Sequence, residues 1–256
     1  MHATEHTTVR GNYCRVDESG LVHPYDSEPP NALTRFVHDS FRSLVLNEQF
    51  ACVGGGAAVR QNNYRFGLYD LMGDDRSSAE LACDLRRFIN DADLKGKPLT
   101  AFAASFRGPI PADERQFEDL LWQTLQQVSD RDAAPWTSDR DSDPNQPTFT
   151  FSFGATSLFI VGLHAASSRL TRRFAWPTLM FNPHDQFDRF RREGTYDRLR
   201  GVIRARDVAL QGAINPMLSD FGEESEARQY SGRRVDEKWT CPFHAAARTR
   251  SPRGTE

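Results

Sequence analysis

The stretch Thr148-Phe149-Thr150-Phe151-Ser152-Phe153-Gly154-Ala155-Thr156-Ser157-Leu158-Phe159-Ile160-Val161-Gly162-Leu163 carries the strongest indication of the fold. Hydroxyl and aromatic side chains alternate over 148–153, and an apolar run follows over 157–163. The three residues between them, Gly154-Ala155-Thr156, have the length and composition of a hairpin connection. We therefore predict two antiparallel strands, the second of them buried.

On both sides of this hairpin the sequence predicts helices mixed with further strands. Apolar residues recur at helical spacing from Asn31, from Ser77 to Ile89 and over 113–129, and two Arg-rich helices are predicted at 184–193 and 195–210. Further strands are predicted at 64–69, 99–106 and 178–181, and Gly54-Gly55-Gly56 favours a tight turn. Because no internal repeat is present, we predict an α+β fold, a single domain with a mainly antiparallel sheet and packed helices.

The two ends of the chain differ from this central block. Residues 1–30 are polar and rich in turn-forming residues, which predicts a loosely ordered N-terminal arm. Residues 248–256 predict a flexible tail. The predicted domain therefore spans 31–247.

Composition narrows the classes of function. The net charge is −3, from 32 basic and 35 acidic residues, so neither a nucleic acid nor a membrane surface is an expected partner. The four cysteines form no CxxC pair, the N-terminus does not resemble a signal peptide, and no apolar run has the length of a membrane span. These features predict a cytoplasmic protein with reduced thiols.

A histidine and a group of cations follow the second strand of the hairpin. His164 leaves the strand end, and Ser168, Arg169, Arg172 and Arg173 come within the next nine residues. A large anionic ligand that also needs a nitrogen donor has these requirements, and haem is such a ligand, with an iron and two propionates. The simpler interpretations are a polar histidine satisfied at a strand end and arginines paired with nearby carboxylates.

Two other segments hold candidate polar groups. His184 and Asp185 follow Asn182-Pro183, where the simpler interpretation makes Asp185 a helix cap. Glu223 and Glu224 belong to an acidic segment, ordinarily a solvated helix start, whose carboxylates also suit a pocket for a guanidinium.

Cysteine offers an alternative iron ligand. Cys241 precedes Pro242 in an apolar terminal segment, and Cys52 precedes the three glycines. A thiolate from either residue is a known type of axial ligand, although a core position is the simpler interpretation of both. A structural zinc site is not supported, because the histidines lack partners at zinc-like spacing.

An ordered series of motifs between residues 33 and 245 resembles the YqcI/YcgG family. It includes Asp130–Trp136, Phe151–Phe153, His164–Arg173, Phe181–Phe187 and Gln229-Tyr230 ahead of Cys241-Pro242-Phe243. Family members with an assigned activity are haem-dependent oxygenases that N-hydroxylate guanidino compounds in guanitoxin and cycloserine biosynthesis. The resemblance implies haem b, dioxygen or peroxide, and a guanidino substrate, most simply L-arginine converted to Nω-hydroxy-L-arginine in a natural-product pathway.

The resemblance also assigns roles to the candidate residues. It makes His164 the iron ligand, and places Ser168 and the arginines Arg169, Arg172 and Arg173 at the cofactor. The expected distal catalytic residues are His184 and Asp185, and the expected substrate-binding carboxylates are Glu223 and Glu224.

The expected partners are the substrate and an external electron donor, and a homodimer is compatible with the sequence. One alternative function is a haem-binding sensor or carrier without turnover. Another is a metal-free binding protein, in which the arginines hold a phosphate or a carboxylate metabolite.

Overall fold

A computed structural model describes residues 12–25 and 29–246 of the chain. Its strands are β1 (Cys14–Val16), β2 (Val22–Pro24), β3 (Tyr64–Leu71), β4 (Ala101–Gly108), β5 (Phe151–Phe153), β6 (Thr156–Leu163) and β7 (Thr178–Pro183). Its α-helices are α1 (Ala32–Leu46), α2 (Val53–Arg60), α3 (Asp75–Ile89), α4 (Glu114–Asp130), α5 (His184–Arg192), α6 (Tyr196–Gln211) and α7 (Ala227–Tyr230).

The described strands form one sheet in the order β2-β1-β3-β4-β7-β6-β5. Every neighbouring pair is antiparallel except β3 and β4, which are parallel and are joined through α3. The predicted α+β fold with a mainly antiparallel sheet is therefore confirmed. The parallel pair was not anticipated, because strand pairing is non-local whereas helical periodicity is local.

The predicted hairpin is formed by β5 and β6. Phe153 pairs with Thr156 across a two-residue turn in which Gly154 and Ala155 both have positive φ, 56° and 57°. Such turns match the twist of antiparallel strands. The first strand is shorter than predicted and begins at Phe151.

Helices cover both faces of the sheet. On one face α3 and α4 bury Leu85 and Leu121 with Phe102, and on the other α1 buries Val37 and Phe41. The Asn31 side chain caps α1 by accepting a hydrogen bond from the Thr34 amide (2.8 Å), which confirms the predicted start. Among the described residues, no helix combines the length and hydropathy needed to cross a bilayer.

Two local predictions are wrong. The predicted start of α3, Ser77, lies inside the helix, and Asp74 caps it by accepting from the Arg76 and Ser77 amides. The triple glycine is the first turn of α2 instead of a tight turn, because the Cys52 side chain accepts from the Gly55 amide (3.3 Å).

The predicted N-terminal arm also needs correction. Residues 12–25 form β1 and β2 at one edge of the sheet, with Tyr13 and Cys14 buried. The Tyr13 hydroxyl donates to Asp91 (2.7 Å), so two short strands are held in place despite their polar surroundings. Residues 1–11 and 26–28 of that arm, and the predicted tail 248–256, lie outside the described residues.

Candidate functional site

His164 lies directly beyond β6 and is fully buried. Its ring stacks on Phe117 with a centroid separation of 4.1 Å, and its amide donates to the Arg172 carbonyl (3.0 Å). Neither ring nitrogen has a hydrogen-bond partner among the residues that the structure describes. Burial lowers the pKa of His164 to about 4, opposed by the charge of Glu114 and reinforced by that of Arg172. The imidazole is therefore neutral at pH 7, with both nitrogens unsatisfied.

The arginines after His164 do not form the expected helical cluster. Arg169 donates to the buried Asp207 carboxylate (2.5 Å) and to the Ala213 carbonyl (2.9 Å). This ion pair neutralises Arg169, as the simpler interpretation of the sequence required.

The other two arginines point to different acceptors. Arg172 donates to the Tyr230 carbonyl (2.9 Å), and Arg173 donates to the Ser167 carbonyl (3.0 Å). Only a single 3-10 turn, Leu170–Arg172, forms here, so the guanidinium groups do not share one side. The expected helix with three arginines on one side is therefore wrong, and their role at haem propionates stays a prediction.

Ser168 is engaged as well, since its amide and hydroxyl both donate to Glu114 (2.8 and 2.6 Å).

His184 is the first residue of α5, directly after β7, and is only 4% exposed. Its Nε2 lies 3.0 Å from one oxygen and 3.1 Å from the other oxygen of the Glu226 carboxylate. Glu226, also 4% exposed, accepts a further hydrogen bond from the Tyr230 hydroxyl (2.5 Å). The Nδ1 atom of His184 is buried and has no partner within residues 12–25 and 29–246. The result is a buried imidazole with one nitrogen held by a carboxylate and the other unsatisfied.

Aromatic rings enclose the His184 imidazole. The centroids of Phe159, Phe187 and Phe221 lie 6.1, 5.9 and 6.0 Å from it. Apolar walls of this kind strengthen the interaction between the imidazole and its carboxylate, because water does not screen it.

The structure does not bring His164 and His184 together. In the antiparallel pair β6–β7, Leu163 lies opposite Thr178 and Leu158 opposite Pro183. Five residues of strand separate these two positions, roughly 17 Å. His184 therefore does not lie on the distal side of an iron bound to His164, contrary to the expectation from the sequence.

The remaining predicted carboxylates are exposed. Asp185 lies in the first turn of α5 but does not cap it, since Pro183 occupies the cap position. Glu223 accepts from the Asp220 amide (3.0 Å), and Glu224 approaches Arg228 (3.5 Å). The buried carboxylate of this segment is Glu226, which sequence reasoning missed because its acidic neighbours look alike in composition.

Cys241 is a poor source of a thiolate, because burial raises the pKa of its thiol to about 12. Cys52 is exposed at the start of α2, where its sulfur accepts from the Gly55 amide. Within the described residues, no three His, Cys, Asp or Glu side chains are grouped as a metal site.

Two clefts lie beside these groups. One, of about 400 Å³, is lined by Ser168, Arg169 and Asn215 among others, and its neighbour, of about 770 Å³, includes Glu224. The clefts share Pro216 and Arg234. Their volumes are in the range of small-molecule sites. Predicted cofactor residues line one cleft and a predicted substrate residue lines the other, so the two sets lie at adjoining cavities.

Comparisons with known proteins find distant relatives of the chain in Bacillus subtilis. The chain is 27% identical to the uncharacterised protein YcgG of Bacillus subtilis over 207 residues, 77% of this chain and 81% of YcgG. It is 27% identical to the uncharacterised protein YqcI of the same organism over 222 residues, 80% of this chain and 86% of YqcI. No solved structure matches the chain. The profile of the YqcI/YcgG family matches residues 41–244, and the chain therefore belongs to that family.

Proposed function

We propose that the protein is a haem-dependent oxygenase that N-hydroxylates a guanidino compound, most simply L-arginine. The observation that carries this proposal is the pair of buried imidazoles, His164 and His184, with three ring nitrogens that lack partners in the described part of the chain. A buried polar atom without a partner costs about 1–3 kcal/mol. Ligation of iron by one of these nitrogens removes that cost, so the donor type fits a haem.

When bound, haem supplies the activation of dioxygen or peroxide for oxygen transfer to a guanidine nitrogen. The chain supplies a histidine as ligand, drawn from His164 and His184. Burial of both imidazoles keeps water from the ligating nitrogen. Electrons come from an external donor if dioxygen is the oxidant.

Recognition of the substrate needs a carboxylate beside a cavity. Glu224 lines the 770 Å³ cleft together with Asp236 and Glu237, while Met217 and Val235 give it apolar walls. A guanidinium forms strong paired hydrogen bonds with a carboxylate, and here it competes with Arg228 for Glu224. The same cleft is also lined by Arg228, Arg233, Arg234 and Lys238, so its carboxylates suit a guanidinium and its cations suit the carboxylate of an amino acid.

The fold alone does not imply an activity. The support for the reaction type therefore comes from the resemblance to guanidino N-hydroxylases. All four cysteines are free, which suits the proposed cytoplasmic location.

The experiment is the absorption spectrum of the haem-reconstituted protein with and without L-arginine. We expect a Soret band that shifts on addition of arginine, and a product heavier by one oxygen atom when a reductant and oxygen, or peroxide, are added. Citrulline, which lacks the cationic guanidinium, is the matched control and should produce no shift. Failure to take up haem contradicts the proposal, whereas haem uptake without product from any guanidino compound indicates a sensor or carrier.

A further inference from the structure

We infer that the smaller of the two clefts is a binding site for an anionic group, a carboxylate or a phosphate, held between Arg169 and Arg234. The inference goes beyond the proposed function, because it requires neither haem nor a guanidino substrate. It depends on an imbalance of charge around this cleft.

The lining of the smaller cleft is cationic. Arg169 and Arg234 are its charged lining residues, and the others are neutral. The described chain contributes no carboxylate to this lining, whereas three carboxylates line the larger cleft. A volume of about 400 Å³ accommodates a small metabolite or one end of a longer one. An anionic group in this cleft therefore meets two guanidinium groups and no acid in the wall.

Arg234 is an exposed cation that forms no ion pair within residues 12–25 and 29–246. Its neighbour Arg233 differs, because it donates through Nε to the buried Glu118 carboxylate (2.9 Å). Arg234 lines both clefts and so lies where they meet. Its donors are therefore available to a ligand.

Arg169 is only 8% exposed, and its guanidinium is used only in part. Its Nη2 atom donates to Asp207 (2.5 Å) and to the Ala213 carbonyl (2.9 Å). Its Nε atom is buried and has no acceptor in the described part of the chain. Since a guanidinium has five N–H donors, an oxyanion can accept from those that Asp207 leaves.

A third arginine adds positive charge behind the wall of the cleft. Gly232 lines the cleft and lies against Arg172, because a Cβ atom at Gly232 would be 2.6 Å from the Cδ atom of Arg172. Arg172 donates to a backbone carbonyl (2.9 Å). Burial lowers its pKa to about 10, and the charge of Arg169 acts in the same direction, opposed by Asp207 and Glu114. Three arginines thus face two carboxylates here, so a bound anion balances the charge.

The test is calorimetric titration of the purified protein with inorganic phosphate and, separately, with malonate. We expect Arg234→Gln to weaken binding by about 10-fold, because a charge-assisted hydrogen bond is lost. Arg198→Gln, at an exposed arginine of α6 outside both clefts, is the matched control and should bind as the wild type does.

Arg169 is tested through its counter-charge, since replacing Arg169 itself would leave Asp207 buried and unpaired. Asp207→Ala frees the guanidinium, so the bound anion should raise the melting temperature of this variant more than that of the wild type. Asp188→Ala, which breaks an ion pair of Arg140, is the control and should show the wild-type shift. Equal shifts in Asp207→Ala and the wild type would remove Arg169 from the site.

Competition distinguishes two sources of the anionic group. If L-arginine displaces the probe anion and agmatine, which lacks the carboxylate, does not, the cleft receives the carboxylate of an amino-acid substrate. If L-arginine displaces nothing, the cleft receives a separate anion. Either result supports the anion site.

Three results would overturn the inference. The first is that neither probe binds to the wild type, or that both bind unchanged to Arg234→Gln. The second is weaker binding in Lys238→Gln but not in Arg234→Gln, which places the anion in the larger cleft. The third is loss of anion binding when haem is loaded, which assigns the cleft to the cofactor. Failure of the protein to take up haem contradicts the proposed function alone and leaves the anion site standing.

Discussion

The two ends of the β6–β7 pair each bury a histidine, but the chain surrounds them in opposite ways. At one end, no described residue is a hydrogen-bond partner for either nitrogen of His164, while the neighbouring Arg169 is neutralised by Asp207. At the other end His184 is held by Glu226, and the nearby arginines share an accessible carboxylate. Burial of an imidazole therefore does not by itself indicate a metal ligand. The partner that fixes the orientation of the ring is the more informative feature.

The largest expected difference between the two ends concerns their ion pairs. Asp207→Ala leaves Arg169 buried without a counter-charge, so we expect a loss of about 3–5 kcal/mol in the free energy of unfolding. Asp188→Ala, at the His184 end, removes a half-exposed partner and should cost about 1 kcal/mol or less. Urea denaturation of the haem-free variants measures both, and equal losses would remove this contrast.

The next prediction concerns the pH dependence of the His164 end. The pKa of His164 is about 4 in the folded protein and about 6.5 when unfolded, so the unfolded state binds the proton more tightly. Stability from this group is present above pH 6.5 and is lost as the pH falls towards 4. The full loss is about 3 kcal/mol, since one unit in pKa corresponds to about 1.4 kcal/mol.

The variant His164→Leu has no imidazole at this position, so it should not show this loss of stability between pH 6.5 and pH 4. It also replaces two unsatisfied nitrogens by apolar atoms, so we expect it to be no less stable than the wild type at pH 7 and increasingly more stable towards pH 4. His184→Leu is the control, and should be destabilised because it leaves Glu226 without its partner. Parallel pH profiles for the wild type and His164→Leu, measured by thermal unfolding, would contradict the assignment of a neutral His164.

A smaller change in the free energy of unfolding is expected for a substitution at Gly162, close to His164 in β6. A Cβ atom at Gly162 would overlap the ring of Phe117 and lie 3.0 Å from the Tyr230 carbonyl oxygen. We expect Gly162→Ala to cost about 1–3 kcal/mol, because the stack of Phe117 on His164 has to shift. Gly201→Ala in α6 is the matched control, since open space surrounds that position, and it should stabilise the protein by about 0.5–1 kcal/mol.

The sequence predicted those parts of the structure that depend on interactions between residues close together in the chain. The β5–β6 hairpin, the Asn31 cap and the helix containing Phe117 were predictable, because periodicity and turn chemistry act between near neighbours. The parallel pairing of β3 with β4 depends on residues far apart in the chain and left no local signal.

The candidate site shows the same limit. The acceptors of Arg169 and Arg172 are Asp207, Ala213 and Tyr230, 38 to 58 residues further along the chain, so the sequence showed a cation cluster but not its neutralisation. Glu226 differs from Glu223 and Glu224 only because the docking of α7 against β6 buries it. Its spacing of four residues from Tyr230 was the one local signal that pointed to it.

The smallest change in stability is expected for the exposed carboxylate next to the buried one. Glu224→Gln alters a surface contact with Arg228, so the free energy of unfolding should change by about 0.5 kcal/mol or less, whereas Glu226→Gln should cost about 1–3 kcal/mol. If Glu224 receives the guanidinium, the same Glu224→Gln variant should need about 10-fold more arginine to shift the Soret band. A variant with normal stability and an unchanged arginine titration would place the substrate at another carboxylate of the cleft, where Asp236→Asn and Glu237→Gln provide the next comparison.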